Sequence, residues 1–186
     1  MPRFDVAATP IEGVIVVERK LREDARGSLS RLFCADELRE AGWRLPVAQV
    51  NHTLTRRRGT VRGMHYQHPP SMEDKYITCL RGEVFDVAVD LRRGSPTFLE
   101  WHAVQLSPAN RRSLLVPHGC AHGFQTLTDD CELVYLHSHP YAAADEAAVN
   151  ALDPCLGIAW PLEISDRSPR DVVHPFLPED FAGVSV

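Results

Sequence analysis

Most of the chain reads as short apolar stretches broken by turn residues, in the manner of β-strands. Val14-Ile15-Val16-Val17 is an early β-branched run, and Tyr76-Ile77-Thr78-Cys79-Leu80 leads into the turn Arg81-Gly82. Val84 to Leu91 follows, with Asp86 and Asp90 in one alternating register, and Arg92-Arg93-Gly94-Ser95-Pro96 marks another turn. Phe98 to Leu106, Ser113 to Val116 and Leu133 to His137 continue the series. Strands at this spacing, punctuated by Gly, Pro, Asn and Asp, predict an all-β sandwich or barrel. One helix is predicted over Ala35 to Gly42, where acidic residues come early and a glycine closes the segment. The region after Asp153, rich in proline and acid, is expected to wrap the barrel with short helical turns.

A length of 186 residues suits one domain over 1–186, with no internal repeat or low-complexity linker to divide it. A net charge of −5 offers no general nucleic-acid footprint. No apolar run reaches transmembrane length, and Met1-Pro2-Arg3-Phe4-Asp5 lacks the layout of a signal peptide. The five cysteines are scattered and form no CxxC pair, so neither a disulfide framework nor a metal cluster is expected. They are read as mostly small core residues of a protein in a reducing cytoplasm.

Candidate chemistry concentrates in Arg62-Gly63-Met64-His65-Tyr66-Gln67, followed by Lys75. Proton abstraction beside a ketone needs a base for the carbon acid, a cation for the enolate and a cation for an anionic handle. Histidine, lysine and arginine are those three types. An imidazole titrates near working pH, which suits His65 to the role of base.

This segment resembles the signature of the dTDP-4-dehydrorhamnose 3,5-epimerase family, a branch of the cupins. The resemblance covers nearly the whole chain. Asp24-Ala25-Arg26-Gly27, Gln49-Val50-Asn51-His52-Thr53, Gly82 to Arg92, Ser95-Pro96-Thr97-Phe98 and Pro117 to Phe124 match family segments in order. Tyr135, Tyr141, Asp153, Gly157 to Pro161 and Arg170-Asp171 then follow at family spacing. It implies a cupin jelly-roll β-barrel with a few short peripheral helices, a homodimer, a nucleotide-sugar substrate, and neither metal nor cofactor.

The resemblance also assigns roles. His65 is the base, Asp171 its supporting carboxylate, Lys75 the cation at the enolate oxygen, and Tyr135 the acid on the opposite face. Arg62 is expected at the diphosphate, with Gln49, Asn51, Arg26, Tyr141, His122 and Arg170 as further substrate contacts. Asp86, Asp90 and Arg92 are read as structural ion pairs near the pocket. Metal-binding cupins carry H-x-H, whereas here the second histidine falls one place late, at His68, on the opposite face of a strand. His65 and His122 without further ligands make a poor metal site, and none is assigned.

One segment departs from the family. Aromatic residues and then a glutamate usually follow the N-terminal R-G; here the continuation is Ser28-Leu29-Ser30-Arg31. A carboxylate accepts the N3–H of thymine, whereas an arginine suits the acceptors of cytosine or guanine. Arg31 therefore raises CDP- or GDP-linked sugars beside dTDP. The expected activity is epimerisation of a nucleoside-diphosphate 4-keto-6-deoxyhexose. A mono-epimerase, a ketoisomerase and a metal-dependent cupin are the alternatives.

Overall fold

The computed structural model describes residues 2–186. In chain order the elements are β1 (Phe4–Ala8), β2 (Ile15–Arg19), β3 (Leu21–Asp24), β4 (Gly27–Ser30), α1 (Ala35–Leu38), β5 (Gln49–Thr55), β6 (Val61–Gln67) and β7 (Lys75–Arg81). They continue as β8 (Val84–Asp90), β9 (Trp101–Leu106), β10 (Arg112–Val116), β11 (Cys120–Thr126), β12 (Cys131–His137), β13 (Glu146–Ala148) and α2 (Pro169–Val173). One sheet has the order β1-β2-β10-β7-β12-β5 and the other β13-β6-β11-β8-β9, while β3 and β4 form a separate ribbon. Spatial neighbours distant in sequence, such as β2 beside β10, give the jelly-roll barrel.

Apolar side chains pack in three layers. Between the sheets lie Ile77, Cys79, Val84, Ala88, Phe124, Leu133 and Tyr135. Outside the five-stranded sheet, Met64, Tyr66, Val87 and Val89 are covered by Leu156, Trp160, Leu177 and Phe181 of the C-terminal region. Outside the six-stranded sheet, Tyr76, Leu115 and Leu136 pack on Phe4, Leu38 and Trp43. Central strands buried on both faces explain why their sequences run apolar almost without a break. Each fully buried aliphatic side chain contributes on the order of 1.5–3 kcal/mol.

The predicted strands are present with small shifts. β9 begins at Trp101 rather than Phe98, because Thr97 to Glu100 forms a turn with Leu99 at φ 64°. The helix is shorter than the predicted Ala35 to Gly42. Its α-helical part ends at Leu38, where Trp43 N–H returns to the Leu38 carbonyl at 3.0 Å and the chain turns. Burial of Leu38 and Trp43 together fixes that turn. In the C-terminal region the single helical element is α2.

Candidate active site

A local irregularity in β6 builds the site. His65 pairs with His122 of β11, and Arg62 pairs with Phe124, so Gly63 and Met64 of β6 stand against Gly123 alone on β11. An unbroken strand would turn Arg62 and His65 to opposite faces. The bulge brings both onto the pocket wall, while Met64 packs into the outer core. Gly63 makes this possible, with φ +136° and a position where a Cβ would lie 2.5 Å from Gly123 Cα.

Asp171 reaches His65 through α2. Ser168 caps this helix, Pro169 occupies its first position, and the Ser168 hydroxyl accepts from Asp171 N–H at 3.0 Å. Asp171 Oδ1 then lies 2.8 Å from His65 Nε2. With Nε2–H donating to the carboxylate, Nδ1 carries the free lone pair. Burial works to raise the Asp171 carboxyl, but the hydrogen bond from His65, with those from Ser168 and the Gly63 N–H, holds it below the ordinary value. The carboxylate is 4% exposed, so its charge acts on His65 with little screening by water.

Tyr135 stands on β12, in the sheet opposite His65, and both line one pocket of about 210 Å³. Burial, reinforced by the charge of Asp86, pushes its phenol well above the ordinary value, so the hydroxyl keeps its proton at neutral pH. The His122 ring meets Tyr135 edge to face at 5.9 Å, and its Nε2 lies 2.8 Å from Asp86 Oδ1. Asp86 is therefore the partner of His122, and burial raises its carboxyl against the pull of that histidine. The ion pair expected among the strand charges is instead Asp90 with Arg92, at 2.8 Å.

Lys75 opens β7 and is almost wholly buried. Its Nζ donates to the His65 carbonyl at 2.9 Å and lies 3.2 Å from Glu73 Oε1. Glu73 in turn meets His137 Nδ1 at 2.8 Å. Burial alone would raise Glu73; the His137 hydrogen bond and the Lys75 charge outweigh it and hold the carboxyl below its ordinary value.

Of the other residues selected from sequence, Asn51, Arg62, His122, Tyr141 and Arg170 line the pocket. Gln49 stands just behind it, donating to Asn51 Oδ1 at 3.1 Å. Tyr141 and Arg170 both bond Glu146, the tyrosine at 2.8 Å and the arginine at 2.9 Å. Arg56, Arg57, Arg62 and Arg170 line an adjoining open groove with Ser168 and Asp171. Arg26 and Arg31 are not brought to this pocket within one chain. Arg26 pairs with Asp24 at the tip of the β3–β4 ribbon, and Arg31 pairs with Glu37 beside α1.

Glu73, His137 and Glu146 are pocket residues that sequence reasoning missed. Glu73 beside Asp74 reads as a solvated charge run. His137 had a usable signal, because it lies two residues beyond Tyr135 on one strand and so shares its face. His65, Asp171 and His174 also place one ligand-capable atom each within 4.8 Å of one another, a set one short of a closed four-ligand zinc site. Among the described residues, no helix is long and apolar enough to cross a membrane.

Residues 8–179 match the family model described as dTDP-4-dehydrorhamnose 3,5-epimerase. The chain is 47% identical over 170 residues to a dTDP-4-dehydrorhamnose 3,5-epimerase of Streptomyces griseus, covering 91% of this chain and 80% of that protein. It superposes with a TM-score of 0.88 at 36% identity on the dTDP-6-deoxy-D-glucose-3,5-epimerase of Legionella pneumophila in complex with dTDP-4-keto-L-rhamnose, covering 93% and 92% of the two chains. A 3'-monoepimerase from Streptomyces bikiniensis in complex with dTDP-quinovose is 42% identical with a TM-score of 0.84, covering 90% and 85%.

Proposed function

The chain belongs to the dTDP-4-dehydrorhamnose 3,5-epimerase family, and we propose on that footing that it epimerises dTDP-4-keto-6-deoxyglucose at C3 and C5. It is an isomerase acting on a keto sugar. The observation that carries the mechanism is the placement of His65 and Tyr135 on opposing sheets across one pocket. Removing and returning a proton on the same face inverts nothing, so an epimerase needs two groups flanking one carbon.

His65 Nδ1 takes the proton α to the C4 ketone, and Asp171 stabilises the imidazolium that results. Electron density moves onto the ketone oxygen, where the Lys75 ammonium stabilises the enolate in a site sheltered from water. Tyr135, held protonated by its burial, delivers a proton to the other face of the same carbon. Arg62 and the arginines of the adjoining groove hold the diphosphate through forked donors. dTDP is the preferred nucleotide because the relatives described above act on or bind dTDP sugars. Resemblance to the monoepimerase supports a second reading, in which C3 alone is inverted.

Conversion in heavy water, followed by NMR, tests both readings. Deuterium at C3 and C5 is the expected result, and deuterium at C3 alone selects the second reading. No exchange at either carbon would remove the epimerase assignment. A homodimer is also proposed. Edge strand β5 shows Val50 and Leu54 to solvent, and the β3–β4 ribbon shows Leu21 and Leu29, apolar surface that a second copy would cover. A monomer mass by light scattering would remove it.

A further inference from the structure

Behind the pocket runs a hydrogen-bonded chain whose direction is set at one end by the backbone. Tyr141 N–H can only donate, and it meets Gln49 Oε1 at 2.9 Å. Gln49 must then present its NH₂ to Asn51, whose Oδ1 lies 3.1 Å away. Asn51 in turn presents its own NH₂ to His137 Nε2 at 3.3 Å. A nitrogen facing that NH₂ has to be an acceptor, so Nε2 is bare and the ring proton sits on Nδ1. Nδ1–H donates to Glu73 Oε2 at 2.8 Å, and the other carboxylate oxygen, Oε1, lies 3.2 Å from Lys75 Nζ. Lys75, which has donors only, also donates to the carbonyl of His65 at 2.9 Å.

We propose that His137 is a positioning residue, which in its Nδ1–H form locks Glu73 and through it holds the Lys75 ammonium at the site of the enolate oxygen. The inference rests on the role given to Lys75 above. The strand register supports it, since His137 pairs with Gln49 on one side and with Lys75 on the other. Tyr135 stacks on the His137 ring at 6.2 Å and 18°, which fixes the ring plane. The side chains of His137, Glu73 and Lys75 are 11%, 8% and 8% exposed, so water competes weakly for these bonds. Without His137, Glu73 loses one of its two partners and can swing, and Lys75 is then held by the His65 carbonyl alone.

Two substitutions separate this role from mere packing. His137→Phe keeps an aromatic ring beside Tyr135 but neither donates nor accepts. His137→Gln can donate to Glu73 and accept from Asn51 at once, preserving the direction of the chain. His137→Phe is expected to lower kcat about 10- to 100-fold with KM changed less than about threefold, because the bond matters mainly when charge develops on the substrate. His137→Gln is expected to restore kcat to within about fivefold of the parent.

Side-chain ¹⁵N NMR of the parent protein at pH 7.5 supplies a readout independent of turnover. The expected spectrum has His137 neutral and protonated on Nδ1. An Nε2–H tautomer or an imidazolium at that pH would overturn the proposal. So would a kcat for His137→Phe within twofold of the parent, or a His137→Gln enzyme as slow as His137→Phe. Should the parent protein turn over no nucleotide sugar, the functional reading fails by itself, and the tautomer still decides whether the chain runs as described.

Discussion

His65 Nε2 and Asp171 Oδ1 stand 2.8 Å apart although 106 residues separate them in sequence. His65→Ala should therefore lower kcat by about 10²–10⁴-fold or more, the range of a removed general base. Asp171→Asn keeps the shape but loses the charge that stabilises the imidazolium, and a loss of about 10²–10⁴-fold is expected here also. Steady-state kinetics alongside circular dichroism check both, and near-normal turnover in either variant would remove that residue from the mechanism.

Tyr135→Phe should uncouple the two faces. Proton removal by His65 persists, so substrate recovered from heavy water gains deuterium at the abstracted carbon, while inverted product falls by at least about 10²-fold. NMR of the recovered sugar distinguishes exchange without inversion from loss of both. Loss of exchange together with inversion would show that Tyr135 is needed for the first step.

Gly63→Ala tests how tightly the site is tied to the fold. The new Cβ would stand 2.5 Å from Gly123 Cα at a φ of +136°. A cost of about 2–4 kcal/mol is expected from overpacking plus backbone strain. The fall in thermal midpoint should be accompanied by a lower kcat in the fraction still folded, because the bulge also aims His65. An unchanged midpoint would contradict this geometry.

Much of this arrangement was legible from the residues. Apolar runs bounded by Arg81-Gly82 and Arg92-Arg93-Gly94 identified β7 and β8, because turn chemistry and β-branched content agree there. The resemblance to the epimerase family implied site roles for Lys75 and Tyr135, and both line the pocket. Less visible was anything set by long-range contact. Ala35 to Gly42 carries helix-like end signals, yet packing of Trp43 against Leu38 curtails the helix. The bulge at Gly63 cannot be deduced from a single strand, since it exists only relative to the register of β11. Glu73 looks like a surface acid until His137 and Lys75 close around it.

Asp90 should contribute stability that depends on acid pH. Burial works to raise its carboxyl, but two bonds from Arg92 at 2.8 Å, with Ser95 at 2.6 Å and Thr97 at 2.7 Å, bring it down to about 2. A folded value below the unfolded one means the contribution is complete above about pH 4 and lost as pH falls from there toward 2. On the order of 1–2 kcal/mol is involved. Urea midpoints measured from pH 6 to pH 2 should fall less steeply for Asp90→Asn than for the parent; parallel curves would contradict the assignment.

Thiol labelling should follow burial. Cys79 and Cys120 are buried and their thiols are pushed up to about 12, chiefly by that burial, whereas Cys155 is exposed. Maleimide should modify Cys155 first in the folded protein and half-buried Cys34 more slowly. Cys79, Cys120 and Cys131 should react only after denaturant is added, as peptide mass spectrometry would read. Rapid native labelling of Cys120 would show that its strand opens more readily than this packing allows.

The β3–β4 ribbon has a consequence for how such a protein can change over generations. Its residues are almost all exposed, and it belongs to neither large sheet. Replacements at Ser28, Leu29 or Arg31 therefore leave the three cores intact, whereas a replacement at Gly63 disturbs folding and chemistry together. Inheritance can sample new side chains on the ribbon at little risk to the barrel, while the strand that carries His65 is held nearly constant by its own geometry. Differences among descendants should accumulate sooner at Ser28 to Arg31 than at the bulge.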